Sequence, residues 1–136
     1  MKLTIHHDDT LEEVQRVFNT EFPFLKLEFF SRPHDRGKPS EKQYIINSRR
    51  TVESCNPLIR ERTLSIPTAM TVQQLEQAFQ FELGLNVQVF RKSGRVWLET
   101  TATDKWSLFK QNSEGQEWSI TKAGPAEDFP DYHEQP

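Results

Sequence analysis

Cysteine occurs once in this chain, at Cys55. A single thiol closes no intrachain disulfide. The framework that staples small secreted domains is therefore excluded, and a reducing compartment is expected. Glycine is also sparse, with five in 136 residues. Neither a glycine-rich phosphate loop nor a Gly-x-Ser-x-Gly nucleophile turn is present. No apolar run approaches the length of a membrane span. The first residues, Met1-Lys2-Leu3-Thr4-Ile5-His6-His7-Asp8-Asp9, lack the apolar stretch of a secretion signal. The expectation is a cytoplasmic protein with no membrane attachment, no cofactor and no motif that points to catalysis.

What the chain does have is aromatic mass: ten Phe and three Trp supply core area that the modest aliphatic count does not. Net charge is −3, which disfavours a dedicated nucleic-acid binder. The charge is uneven. Arg32 to Arg62 holds eight basic and four acidic residues, +4, leaving −7 elsewhere.

The strongest feature is internal. Shifted by 61 positions, Leu3 and Ile5 fall on Leu64 and Ile66, and Thr10 on Thr71. Leu11, Val14, Val17, Phe18 and Phe22 fall on Val72, Leu75, Ala78, Phe79 and Leu83. Leu3-Thr4-Ile5 and Leu64-Ser65-Ile66 alternate as half-buried strands do. Thr10 and Thr71 suit N-caps, and Glu13 and Gln74 complete capping boxes. The apolar residues then recur at helical spacing, which turns Glu12, Gln15, Arg16, Gln73, Glu76 and Gln77 to water. Pro23 and Gly84 stop the two helices. Strands follow at Leu25–Phe29 and Val87–Phe90, now offset by 62.

The expected fold class is α+β, an internal duplication of two β-α-β(-β) units, about 1–60 and 61–122. They share one core, with two main helices packed on a mixed sheet. Each strand–helix–strand unit suggests parallel strands joined by a right-handed crossover.

Beyond the repeat the copies diverge. Arg91–Arg95 reads as a hairpin turn leading to a strand at Val96–Thr100. Around Trp106 and Phe109 a helix and a strand fit equally well, and Thr51–Cys55 faintly echoes that element. Asn112–Gly115 reads as a turn and Glu117–Thr121 as a last strand. Gln43–Asn47 suggests a returning strand, and Arg32–Pro39 a mobile loop. Residues 123–136, acidic and proline-containing, are expected to form a disordered tail.

Three places carry candidate chemistry. His6-His7-Asp8-Asp9 offers metal-ligating types, but neighbouring strand residues point to opposite faces and no ligand spacing is present. The basic loop suits an anion or a partner, with Arg32, His34, Arg36, Lys38, Arg49 and Arg50 as candidate contacts. Trp97 faces outward if Val96 and Leu98 face the core. The strand order resembles RNA-recognition folds, but Lys92–Leu98 lacks their paired aromatics.

The leading expectation is a small non-catalytic interaction or regulatory module with a protein partner. The alternative is nucleic-acid or other polyanion binding through residues 32–50. The third is a metal protein or enzyme using His6–Asp9. If the shared parts are scaffold, function belongs to the unshared loop, turn and tail.

Overall fold

A computed structural model describes residues 1–34, 38, 41–122 and 132–133, with side chains up to residue 119. The elements run β1 (Lys2–Ile5), α1 (Leu11–Glu21), β2 (Leu25–Phe30), α2 (Val52–Cys55), β3 (Arg62–Ser65), α3 (Val72–Ala78), β4 (Asn86–Ser93), β5 (Val96–Glu99), α4 (Leu108–Lys122) and β6 (Tyr132–His133). The class is α+β, as expected. Among the described residues no helix is long and apolar enough to cross a membrane.

The single mixed sheet is replaced by two separate ones. β1 pairs antiparallel with β3, and β2 pairs antiparallel with β4, which continues to β5. The backbone of β6 lies parallel along β5. The expected parallel pairing within each strand–helix–strand unit does not occur. A crossover helix carries the chain over the core without fixing which sheet the next strand joins. Here the two strands of each strand–helix–strand unit pair with those of the other unit, β1 with β3 and β2 with β4. In β1 and β3, Leu3 stands opposite Leu64; in β2 and β4, Leu27 stands opposite Val89.

Beneath these strands lies one core. Leu3, Ile5, Leu11, Val14, Phe18 and Phe22 are buried, and so are Leu64, Ile66, Val72, Leu75, Phe79 and Leu83. Burying each such side chain contributes about 1.5–3 kcal/mol. Val17, expected on the apolar face, is 47% exposed. It sits at the edge of the stripe, where the helix turns to solvent.

The helix starts are built alike. Thr10 Oγ1 accepts from the Glu13 N–H, and Thr71 Oγ1 from the Gln74 N–H, with the Gln74 side chain completing the box. The next orphan N–H groups are met by the following helix region. Leu11 N donates to Arg50 O and Glu12 N to Ser48 O, while Val72 N donates to Trp106 O and Gln73 N to Asp104 O. Return bonds run from Val52 N to Asp9 O and Glu53 N to His7 O, and from Leu108 N to Met70 O and Phe109 N to Thr68 O. Two pairs of helix N-termini thus satisfy one another through their preceding loops, which leaves few orphan donors.

Helix ends are clamped across units. Asn56 Nδ2 donates to Leu83 O at 2.7 Å, beside Gly84, whose φ of +63° closes the turn. Asn112 Oδ1 accepts from Phe24 N at 2.9 Å. Replacing Asn56 by Ala strips a part-buried carbonyl of its donor. The expected cost is about 1–2 kcal/mol, read as a lower urea midpoint at unchanged slope.

Several local expectations need correction. Asn112–Gly115 and Glu117–Thr121 are neither turn nor strand: both lie within α4. Gly115 is there because the helix presses on Phe24. A Cβ at Gly115 would stand 2.8 Å from Phe24 Cβ. Gln43–Asn47 is not a strand. A 3-10 turn occupies Lys42–Tyr44, and one bridge joins Ile45 to Phe30. The hairpin forms, but its turn is only Gly94-Arg95, with Gly94 at φ +63°; Arg91–Ser93, expected in the turn, are paired in β4. Of the Arg32–Pro39 loop, residues 35–37 and 39 fall outside the described residues, as does the tail apart from the backbone of β6.

Candidate functional site

The apolar stripe of α3 and of the π-helical turn that extends it, Phe79–Leu83, is spaced Val72, Leu75, Phe79, Leu83. Glu76 falls four residues after Val72 and three before Phe79, so it lies on the edge of that stripe and not on the water face. Its side chain is 12% exposed. The same spacing sets Gln15 on the edge of α1, where its Nε2 donates to Leu27 O at 2.8 Å. The amide at that edge therefore has a hydrogen-bond partner. The carboxylate of Glu76 is held more loosely: Oε1 meets His34 Nε2 at 3.4 Å, Oε2 is buried without a close hydrogen-bond partner, and the Val89 backbone adds a weaker hydrogen bond.

These groups open onto a cleft of about 390 Å³. His34 and Pro33 reach it from the end of β2. Gln73, Glu76, Gln77 and Gln80 come from α3 and its π-helical extension, Asn86 and Val87 from β4, and Asp104 from the turn before α4. Burial pushes the Glu76 carboxyl above its usual range, and the negative charge of Asp104 adds to this. His34 opposes both, by hydrogen bond and by charge, and a hydrogen bond at the Val89 backbone opposes them too. A buried carboxyl perturbed in this way, inside a cleft, is a mark of functional sites.

The sign of the pH effect follows. A carboxyl whose folded pKa is raised stabilises the fold below its unfolded value, and that contribution is lost as pH rises through the folded pKa. The ionised group then sits buried and underbonded. Glu76→Gln removes the charge and keeps the shape. The variant is expected to gain about 1 kcal/mol at neutral pH. The gain should shrink as pH falls toward 4.5, the ordinary value of the group. Thermal melts across that range check it.

The residues expected from sequence are scattered. Arg32 lies over the Tyr44 ring, 4.5 Å from its centroid, and its Nη1 donates to Tyr44 Oη at 3.1 Å. Arg50 is tied to Ser54, with Nη2 donating to its carbonyl at 2.8 Å. Arg49 and Lys38 are exposed, and Arg36 lies outside the described residues. Among the described residues of this set, His34 alone lines the cleft. Trp97 is half-buried, and Lys26 Nζ stands 5.1 Å from its ring centroid.

In the His6–Asp9 turn, His6 approaches Asp9 and Glu61 while His7 approaches Glu53. Among the described residues no three His, Cys, Asp or Glu side chains gather to hold a metal ion. The carbonyls of His7 and Asp9 accept from the start of α2, as those of Thr68 and Met70 accept from α4. That is a structural use of the turn.

A second groove borders the cleft at Gln80, which lines both. Its rim carries Leu58 and Phe81, 88% and 87% exposed. Set against family models, curated proteins and solved structures, the chain matches none.

Proposed function

We propose that this chain is a small non-catalytic binding module, an internal duplication in which the second copy, with Pro33 and His34 of the first, forms a recognition cleft. Three observations support the duplication. The residues matched at offsets 61 and 62 are Leu3 with Leu64 and Leu27 with Val89, and these face each other across the two sheets. The N-terminal hydrogen bonds of α1 with α2 recur in α3 with α4. Asn56 and Asn112 each clamp the end of the other unit's helix region.

The single observation that carries the binding reading is the difference between Gln15 and Glu76. At matched places, one side chain is an amide bonded to the scaffold, while the other is a buried carboxyl that lines a cleft and that burial and Asp104 hold above its usual range. A carboxyl kept in such a place at a cost to stability is what a binding site retains. The exposed Leu58 and Phe81 beside the cleft fit a protein partner whose apolar side chains cover them.

The polyanion alternative has less behind it, because the guanidinium groups of Arg32 and Arg50 are engaged within the chain.

A fragment screen read by amide chemical shifts tests the proposal. Hits should move Gln77, Gln80 and Val87 together and remain chemically unchanged. Hits that cluster elsewhere would sink it, as would steady turnover abolished by one substitution.

A further inference from the structure

We propose that the groove beside Leu58 and Phe81 takes an acidic, apolar segment of a partner protein. An aromatic or aliphatic side chain of that segment sits between Leu58 and Phe81, and a carboxylate meets Arg60. This deepens the protein-partner reading above and rests on it.

Exposure marks the place. Leu58 and Phe81 are 88% and 87% exposed, and both line one groove of about 400 Å³. Ile59 adds a half-buried wall. Large apolar side chains bared singly are ordinary, but two on one concave surface mark an interaction site.

The other unit shows that the scaffold does not need them. Phe81 falls on Thr20 at offset 61 and on Asn19 at offset 62. Both are polar and both bond to backbone, Thr20 Oγ1 donating to Arg16 O at 2.9 Å and Asn19 Nδ2 to Leu25 O at 2.8 Å. Thr51 and Ser107 bridge to the matched caps Thr10 and Thr71. That register, an offset of 56, sets Leu58 on Glu114. The helices differ as well. Thr10 and Thr71, where they start, are 61 apart, whereas Phe22 and Gly84, where they end, are 62 apart. The extra residue is taken up in the π-helical turn Phe79–Leu83, which carries Phe81. Such turns lie frequently at functional sites.

Charge selects the partner. The charged lining of the groove is Arg60, Arg62 and Glu82. Glu82 is engaged by Arg62 at 3.2 Å. Arg60 is exposed and has no carboxylate partner among the described residues. A guanidinium beside apolar side chains favours a carboxylate in bidentate contact. A second copy fits poorly, because a two-fold contact would set this surplus of positive charge against itself. A lipid surface fits poorly too, because two side chains at a groove bury far less apolar area than an interfacial helix.

The test selects random displayed peptides on the full chain and follows the winning sequence, as a synthetic peptide, by amide shifts. Winners should combine apolar side chains with Asp or Glu and should move Leu58, Ile59 and Phe81 saturably. Phe81→Ala should weaken the peptide about tenfold, and Arg60→Glu about fivefold. Both positions are exposed, so both variants should keep the urea midpoint of the wild type. Winners without acids, or winners bound as tightly by Phe81→Ala as by the wild type, overturn the proposal. So does self-association lost in Phe81→Ala, which gives the groove to a second copy. Binding to phosphatidylserine vesicles lost in the same variant also overturns it and gives the groove to a membrane. If no peptide moves the groove residues and the fragment screen finds hits beside Glu76, this inference alone falls. If both are silent, the binding reading falls with it.

Discussion

Phe79→Ala should cost about 3–5 kcal/mol, the range for removing a large buried ring. Phe79 is fully buried and meets Phe29 edge to face, with centroids 6.0 Å apart at 69°. It also closes α3 and opens the π-helical turn that carries the helix to Gly84. Removing the ring leaves a cavity between α3 and the longer sheet, and neither wall can collapse without moving the other. Phe18, its counterpart 61 residues earlier, is equally buried and packs on Phe22 at 5.2 Å. Phe18→Ala should cost a similar amount. Phe81→Ala, two positions along and 87% exposed, should stay within about 0.5 kcal/mol. Urea unfolding of the three variants checks this. A small loss at Phe79 would mean that the core is not shared as described.

The second large effect is at Gly115. In an open helix, Gly→Ala gains about 1 kcal/mol from propensity alone. Here the sign should reverse. An added Cβ would stand 2.8 Å from Phe24 Cβ and 3.1 Å from both Phe24 O and Arg91 Cγ. Phe24 cannot retreat, because its N–H is held by Asn112 one turn earlier on the same helix. Arg91 is buried, with Nη1 bonded to Gln111 at 2.7 Å. Overpacking should leave Gly115→Ala about 1 kcal/mol less stable and Gly115→Val about 3 kcal/mol less stable. Thermal melts decide it, and a more stable Gly115→Ala would show that α4 does not press on this loop.

The same glycine shows where sequence reading stops. Asn112-Ser113-Glu114-Gly115 has turn composition, and nothing local distinguishes a turn glycine from one that lets a helix approach a neighbour. That information lies in Phe24, 91 residues away. The helices α1 and α3 were legible because caps, stripe and stop all agree within each segment. Sheet membership was not, since strand alternation says which face is buried and not which strand is the neighbour. The echo between Thr51–Cys55 and the region of Trp106 was faint in side chains because its likeness lies in backbone bonds.

Glu76 reads as a water-facing residue from its charge, but its spacing from Val72 and Phe79 puts it on the edge of the buried stripe. Charge is the weaker signal at a stripe edge when the group lines a cleft. His34, by contrast, was marked by the basic loop that carries it, though its partner on α3 could not be read from the chain.

The central claim is that Glu76 is kept as a carboxylate for binding, at a cost to stability. One paired measurement tests it most directly: the melting midpoint, and the affinity for a fragment that binds the cleft, of the wild type and of Glu76→Gln at pH 7.5. The variant is expected to melt higher, by about 3 °C for 1 kcal/mol, and to bind the fragment at least tenfold more weakly. A variant that melts lower, or that binds the fragment as tightly as the wild type, would contradict this.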